Sequence, residues 1–272
     1  MSILTANVAS GRHISYRSEG AGRLLVQVHG IGTGHRNFDL LTPHLATSFH
    51  VVDLDLPGYG GSDPLEGART IETLANAVAD FIEAIAEPPV HLHGTSFGGL
   101  IAMAVAAARP ELVERLVVTC SFARLDNAMA AMQRSWESAA AAGPEFLAEV
   151  TSVQGFSRSF WDRDDAATIQ DAFVTAMAST PTEDFVRDLP VMAKADLTDT
   201  VRTILATTLL LGADEDQMTP LQTAPSGAGM TDLARLIPNA RLEVLQECGH
   251  FISIERGAET AEAISRFLAE SD

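Results

Sequence analysis

One serine is placed where a nucleophile would be. Ser96 lies in GTSFGG at 94–99, between the apolar run Val90–His93 and an alanine-rich stretch from Leu100 to Ala108. A strand that enters G-x-S-x-G and leaves as a helix strains the turn and lifts the serine oxygen above the sheet. A hydroxyl is a weak nucleophile until a base takes its proton and a third group orients that base. Of the eight histidines, His250 fits the base best: it follows the apolar run Leu242–Leu245 in QECGHFISIERG, where Gly249 permits a close turn. His29, His91 and His93 lie on or beside buried strands instead. For the acid, LLLGADEDQMTP sets Asp214, Glu215 and Asp216 just past another apolar run, in the chain order serine, acid, histidine. His91 and His93 alternate on one strand and share a face, but no third ligand is apparent, so neither a metal site nor a cofactor is expected.

These groups need a scaffold that brings distant turns to one edge. Strand patterns at Arg12–Arg17, which reads as an edge strand, and at Leu24–His29, His50–Asp55, Val90–His93 and Val113–Thr119 alternate with helical patterns at Asn37–Leu45, Ile71–Ile85 and Phe97–Arg109. Such alternation predicts an α/β fold with a mostly parallel sheet, helices on both faces, and ligands outside the carboxyl ends of the strands. From Ser121 to Arg202 no strand pattern occurs, while MAAMQRSWESAAAAG, EFLAEV and ATIQDAFVTAMAS have helical spacing. Thr207–Leu211, Asp232–Ile237, Leu242–Leu245 and Glu259–Ala269 resume the strand and helix order. The expected organisation is a core at 1–120 and 203–272 with a helical insertion at 121–202.

Composition narrows the functional classes. With 46% hydrophobic and 20% charged residues, the chain reads as globular. A net charge of −18, with no cluster of lysines or arginines to reverse it, argues against nucleic acid and anionic membranes as partners and leaves a small-molecule substrate. Cys120 and Cys248 make no disulfide framework and suit reduced, buried thiols. The N-terminal stretch has no continuous apolar segment behind a cationic start, and Leu100–Ala108 is too short to span a bilayer, so a cytoplasmic protein is expected.

Taken together, VHGIG at 28–32, DLPGYGGSD at 55–63, GTSFGG at 94–99, GADEDQMTP at 212–220 and CGHFISIERG at 248–257 resemble the α/β-hydrolase superfamily over nearly the whole chain. The resemblance implies that the acid stands four residues before a proline, which selects Asp216 with Pro220; Asp214 and, more remotely, Asp126 are the alternatives. It also implies an oxyanion hole from the backbone N–H groups of Ile31 and Phe97, their side chains serving as pocket walls, and a structural, rim-shaping role for DLPGYGGSD.

Serine at the elbow disfavours the halide-displacing and epoxide-opening relatives, which carry aspartate there. Acyl transfer to water remains. The insertion is loosely similar to that of enol-lactonases, with Trp136, Phe160 and Trp161 as candidate walls of an apolar substrate pocket. A small ester or lactone is the expected substrate. C–C bond hydrolysis of ring-cleavage diketones, acyl transfer, thioester hydrolysis and a non-catalytic binding role on the same fold are the alternatives.

Overall fold

The computed structural model describes residues 3–270; residues 1–2 and 271–272, at the ends of the two expected core segments, lie outside them. Eight strands form one sheet in the order β1-β2-β4-β3-β5-β6-β7-β8. They are β1 (Ile3–Asn7), β2 (His13–Gly20), β3 (Leu24–Val28), β4 (His50–Leu54), β5 (Val90–Thr95), β6 (Val113–Thr119), β7 (Thr207–Ala213) and β8 (Ala240–Leu245). The β1–β2 and β2–β4 pairs are antiparallel, and every pair from β4 through β3 to β8 is parallel.

The central strands are buried on both faces because helices cover both. α1 (Thr42–Leu45) and α11 (Gly257–Leu268) bury Leu45, Ile264 and Phe267 against Leu25, Val51, Val117 and Leu209. On the other face lie α2 (Ile71–Ile85), α3 (Phe97–Ala108) and, after β7, α9 (Met230–Leu236). α3 is buried from Phe97 through Ala106, which accounts for a sequence apolar all round rather than striped. Each leucine or phenylalanine fully withdrawn from water contributes about 1.5–3 kcal/mol.

Between β6 and β7 come α4 (Asn127–Ala142), α5 (Pro144–Gly155), α6 (Arg158–Trp161), α7 (Ala166–Ala178) and α8 (Thr182–Lys194). A short α10 (Ile252–Glu255) precedes α11. Two expectations need correction. The strand expected at Arg12–Arg17 is not the edge: β1 pairs outside it, and β1 escapes notice because Ala6 is its one buried residue. The helix expected over Asn37–Leu45 is two pieces, a 3-10 turn at Gly34–Phe38 and α1, because Pro43 lacks a backbone donor and restarts the helix in its first turn.

Candidate active site

All five groups named in advance sit just past the carboxyl ends of β3, β5, β7 and β8, at one edge of the sheet, Phe97 as the first residue of α3. Ser96 has φ 53° and ψ −118°, a conformation disfavoured for a residue with a side chain. Its neighbours hold it there. Its N–H donates to Thr119 O at 2.9 Å, and its carbonyl accepts from Ser121 Oγ at 2.8 Å and Gly99 N at 2.9 Å. The turn is tight enough to exclude side chains: a Cβ on Gly98 would stand 2.1 Å from Val28 O, and one on Gly94 2.3 Å from Gly98 O.

His250 Nε2 is 3.1 Å from Ser96 Oγ, and His250 Nδ1 is 2.9 Å from Asp216 Oδ2. Asp216 is buried, which disfavours its charge, yet the imidazole and the Thr219 hydroxyl and amide outweigh burial and hold its pKa below the ordinary carboxylate value. Oδ1 accepts the N–H groups of Met218 (2.8 Å) and Thr219 (2.9 Å), and Oδ2 accepts the Thr219 hydroxyl at 2.6 Å. Thr219 is also 3.2 Å from His250 Nδ1. It was not anticipated, although it directly precedes the proline that marks the loop register.

The other carboxylates serve elsewhere. Asp214 accepts the Cys248 N–H at 3.3 Å, Glu215 binds the Ser159 amide and hydroxyl, and Asp126 caps α4 while also accepting the Ala224 N–H. Among the described residues, neither the Ile31 N–H nor the Phe97 N–H has a hydrogen-bond partner. Their side chains part company: Ile31 borders the cavity over Ser96, whereas Phe97 points into the core and forms no pocket wall.

That cavity, of about 420 Å³, borders Ser96 and His250 and is otherwise walled mainly by apolar side chains, including Trp136, Phe173, Phe185 and Phe251. Trp136 packs edge-on against Phe185 at 5.9 Å, and its indole N–H donates to Gln154. Phe160 and Trp161 do not border the cavity. Phe160 stacks on Phe156 at 4.0 Å and Trp161 meets Phe156 edge-on, because Ser157, held by Glu255, caps α6 and turns it onto this aromatic cluster. Phe173, in the helical run of α7, went unnoticed because helical spacing does not say which face looks inward. Arg36 alone among the lysines and arginines of the described residues borders the cavity, and it is largely exposed beside Asp39. Arg124, Arg163, Arg187 and Arg202 each pair with a nearby aspartate.

The two strand histidines find different partners. His93 lies 2.8 Å from Gln27 Nε2 and 3.0 Å from Thr119 Oγ1, and His91 is 3.3 Å from Glu114. Cys120, Asp216 and His250 are the one group of three potential metal ligands among the described residues, their atoms within 4.8 Å of one another. Burial and the Asp216 charge push the Cys120 thiol well above its usual pKa, and the Asp216–His250 hydrogen bond occupies the atoms that a cation would need.

Comparison with known proteins agrees with this fold. The profile of the alpha/beta hydrolase family matches residues 25–263. The chain is 30% identical to a 2-hydroxymuconate semialdehyde hydrolase of Pseudomonas sp. (strain CF600), over 97% of this chain and 93% of that protein. Among solved structures, a thermophilic esterase from Thermogutta terrifontis superposes with a TM-score of 0.84 at 24% identity, covering 98% of both chains. The enol-lactonase from Burkholderia xenovorans LB400 gives 0.81 at 23% identity over 98% of this chain and 100% of that one. At such identities the two structures speak to the fold alone.

Proposed function

The chain belongs to the alpha/beta hydrolase family and is a hydrolase, and from that premise we propose that it cleaves a small, neutral carboxylic ester or lactone through an acyl-enzyme on Ser96. Ser96 Oγ adds to the substrate carbonyl as its proton passes to His250 Nε2, 3.1 Å away. The oxygen that gains the negative charge is received by the Ile31 and Phe97 N–H groups, donors fixed before the reaction. Collapse expels the alcohol oxygen, which takes the proton back from His250, and leaves the acyl group on Ser96. Water then repeats the sequence and releases the acid. Asp216 keeps the Nδ1–H tautomer and stabilises the imidazolium from 2.9 Å. The helices between β6 and β7 act as a cap that gives the reaction an apolar roof.

One observation carries the substrate class: the cavity over Ser96 has mainly apolar walls, and no arginine or lysine from residues 121–202 borders it. An anionic dienol would lose its hydration there without a buried cation in return. C–C bond hydrolysis is the second reading, favoured by the relative named as a semialdehyde hydrolase. Steady-state kinetics on p-nitrophenyl esters, small lactones and a 2-hydroxy-6-oxo-dienoate separates the two. Neutral esters or lactones should be preferred by at least about tenfold in kcat/KM, roughly 1.4 kcal/mol of transition-state binding. Preferential cleavage of the dienoate would overturn the substrate class and leave the serine chemistry in place.

A further inference from the structure

The loop that carries Ile31 is fastened on both sides of that residue. Leu56 N–H donates to His29 Nε2 at 3.0 Å, so the imidazole proton is on Nδ1 and donates to Gly30 O at 2.7 Å. The Thr33 hydroxyl reaches the same carbonyl, and Gly30 N–H donates to Asn37 Oδ1. The two bonds to Gly30 O fix the peptide plane between Gly30 and Ile31, which carries the Ile31 N–H, and the Asn37 bond fixes the plane before it. The next plane is held differently: Gly32 N–H donates to the hydroxyl of Tyr59 at 3.3 Å.

Tyr59 lies in DLPGYGGSD and is buried, with its ring edge-on to His29 at 4.6 Å. Its hydroxyl donates to Asp188 Oδ2 at 2.6 Å, with Asp184 O at 3.0 Å. Asp188 belongs to α8, is fully buried, and is held by Arg69 through both carboxylate oxygens. From the same helix, Arg187 lies 4.8 Å above the Tyr59 ring and donates to Gly58 O. Phe185 lies so close to Gly32 that a Cβ there would meet its ring at 2.5 Å. An inserted helix is therefore joined to the loop beside Ser96 by hydrogen bonds through a phenol and by the Phe185 ring packed on Gly32.

We propose that Tyr59 is a positioning residue for the oxyanion hole: aimed by Asp188, its hydroxyl fixes the peptide plane between Ile31 and Gly32, and so holds the far side of the residue whose N–H is the donor. This rests on the assignment of Ile31 as an oxyanion donor. The inserted helix thereby supports the chemistry as well as roofing the cavity, since Asp188 orients the group that holds the loop. Planar peptides on either side of Ile31 leave it little freedom once both are pinned. Freeing the second leaves Ile31 tethered from one side only, so that its N–H can drift from the developing charge, where small displacements are costly.

Tyr59→Phe keeps the ring and removes only the hydroxyl. Active sites are titrated with a fluorophosphonate, so that kcat is expressed per reactive Ser96 and any misfolded fraction drops out. The expected result is a kcat per titrated site lower by about tenfold or more, with KM within about twofold and the rate of fluorophosphonate inactivation lowered in proportion to kcat. A kcat per site within about twofold of the wild type would overturn the proposal, as would a raised KM at unchanged kcat, which would make Tyr59 a shaper of the cavity. Failure of the wild type to be labelled at Ser96 would overturn the nucleophile assignment itself, and with it this one.

Discussion

The amide of His250 donates to the carbonyl of Gly155 at 2.7 Å, tying the loop that carries the base to the end of α5. The following turn extends the seam: Glu255 accepts from the Ser157 amide and hydroxyl and from the Gly249 N–H, and Glu215, next to Asp216, accepts from Ser159. Replacing Glu255 with alanine should strand three donors and cost about 1–3 kcal/mol for each one left buried and unpaired. Both thermal stability and kcat should fall, whereas Glu255→Gln, which keeps an acceptor, should lose much less. Equal melting temperatures for the two variants would show that the seam carries no weight.

Ser96 should be the one stoichiometric target of a fluorophosphonate, and Ser96→Ala should abolish labelling. His250→Ala should lower kcat by about 10³-fold or more, because serine and base act as a unit. Near-normal turnover without the imidazole would mean that another group takes the proton.

Asp216→Asn should keep the fold and reduce kcat by roughly 10²- to 10⁴-fold, since an amide neither stabilises the imidazolium nor enforces its tautomer. Asp214→Asn should do far less, as Asp214 only accepts the Cys248 amide. Thr219→Val, which strips one donor from Asp216, should fall between them. A larger loss at Asp214 than at Asp216 would show that the loop register from Pro220 is misassigned.

Trp136 and Trp161 should behave differently. Trp136 borders the cavity, so its alanine variant should raise KM more than it lowers kcat. Trp161 packs on the Phe156 cluster, so Trp161→Ala should lower the melting temperature with little effect on KM. Phe160→Ala in the same cluster should cost about 3–5 kcal/mol of stability. A raised KM in Trp161→Ala at unchanged stability would return that ring to the substrate pocket.

Buried histidines make the fold sensitive to mild acid, His29 among them, since burial lowers its pKa too. Burial pushes His93 down to about 3 and His91 down to about 4, so in the native state both stay neutral where the unfolded chain takes up protons, below about 6.5. Stability due to them is fully present above that value and is lost as pH falls toward the folded pKa values, by about 1.4 kcal/mol per pH unit and group. Asp53 works the other way: burial raises it to about 6, so its native state gains protons first on acidification and offsets part of the loss. Urea midpoints from pH 7 to 4.5 should therefore decline, and His93→Gln should flatten the decline. An unchanged slope in that variant would remove His93 as its source.

What the sequence determined by itself was local or ordinal. The turn around Ser96 was legible because Gly94, Ser96 and Gly98 must lie close together in the chain to make it, and its meeting with Asp216 and His250 because loops after strands of a parallel sheet open at one edge. Helix Ile71–Ile85 and strand Val113–Thr119 stand where their periodicity puts them. The tertiary structure decided matters of facing. Helical spacing marked Trp136, Phe160 and Trp161 as apolar alike, but which of them meets the cavity depends on how the inserted helices are pinned, Ser157 to Glu255 at one end and Asp188 to Tyr59 at the other. Those partners are 98 and 129 residues apart, and Thr219 reaches His250 across 31. Hydrogen bonds between such distant positions leave no period in a single sequence, because they exist only once packing has brought their elements together.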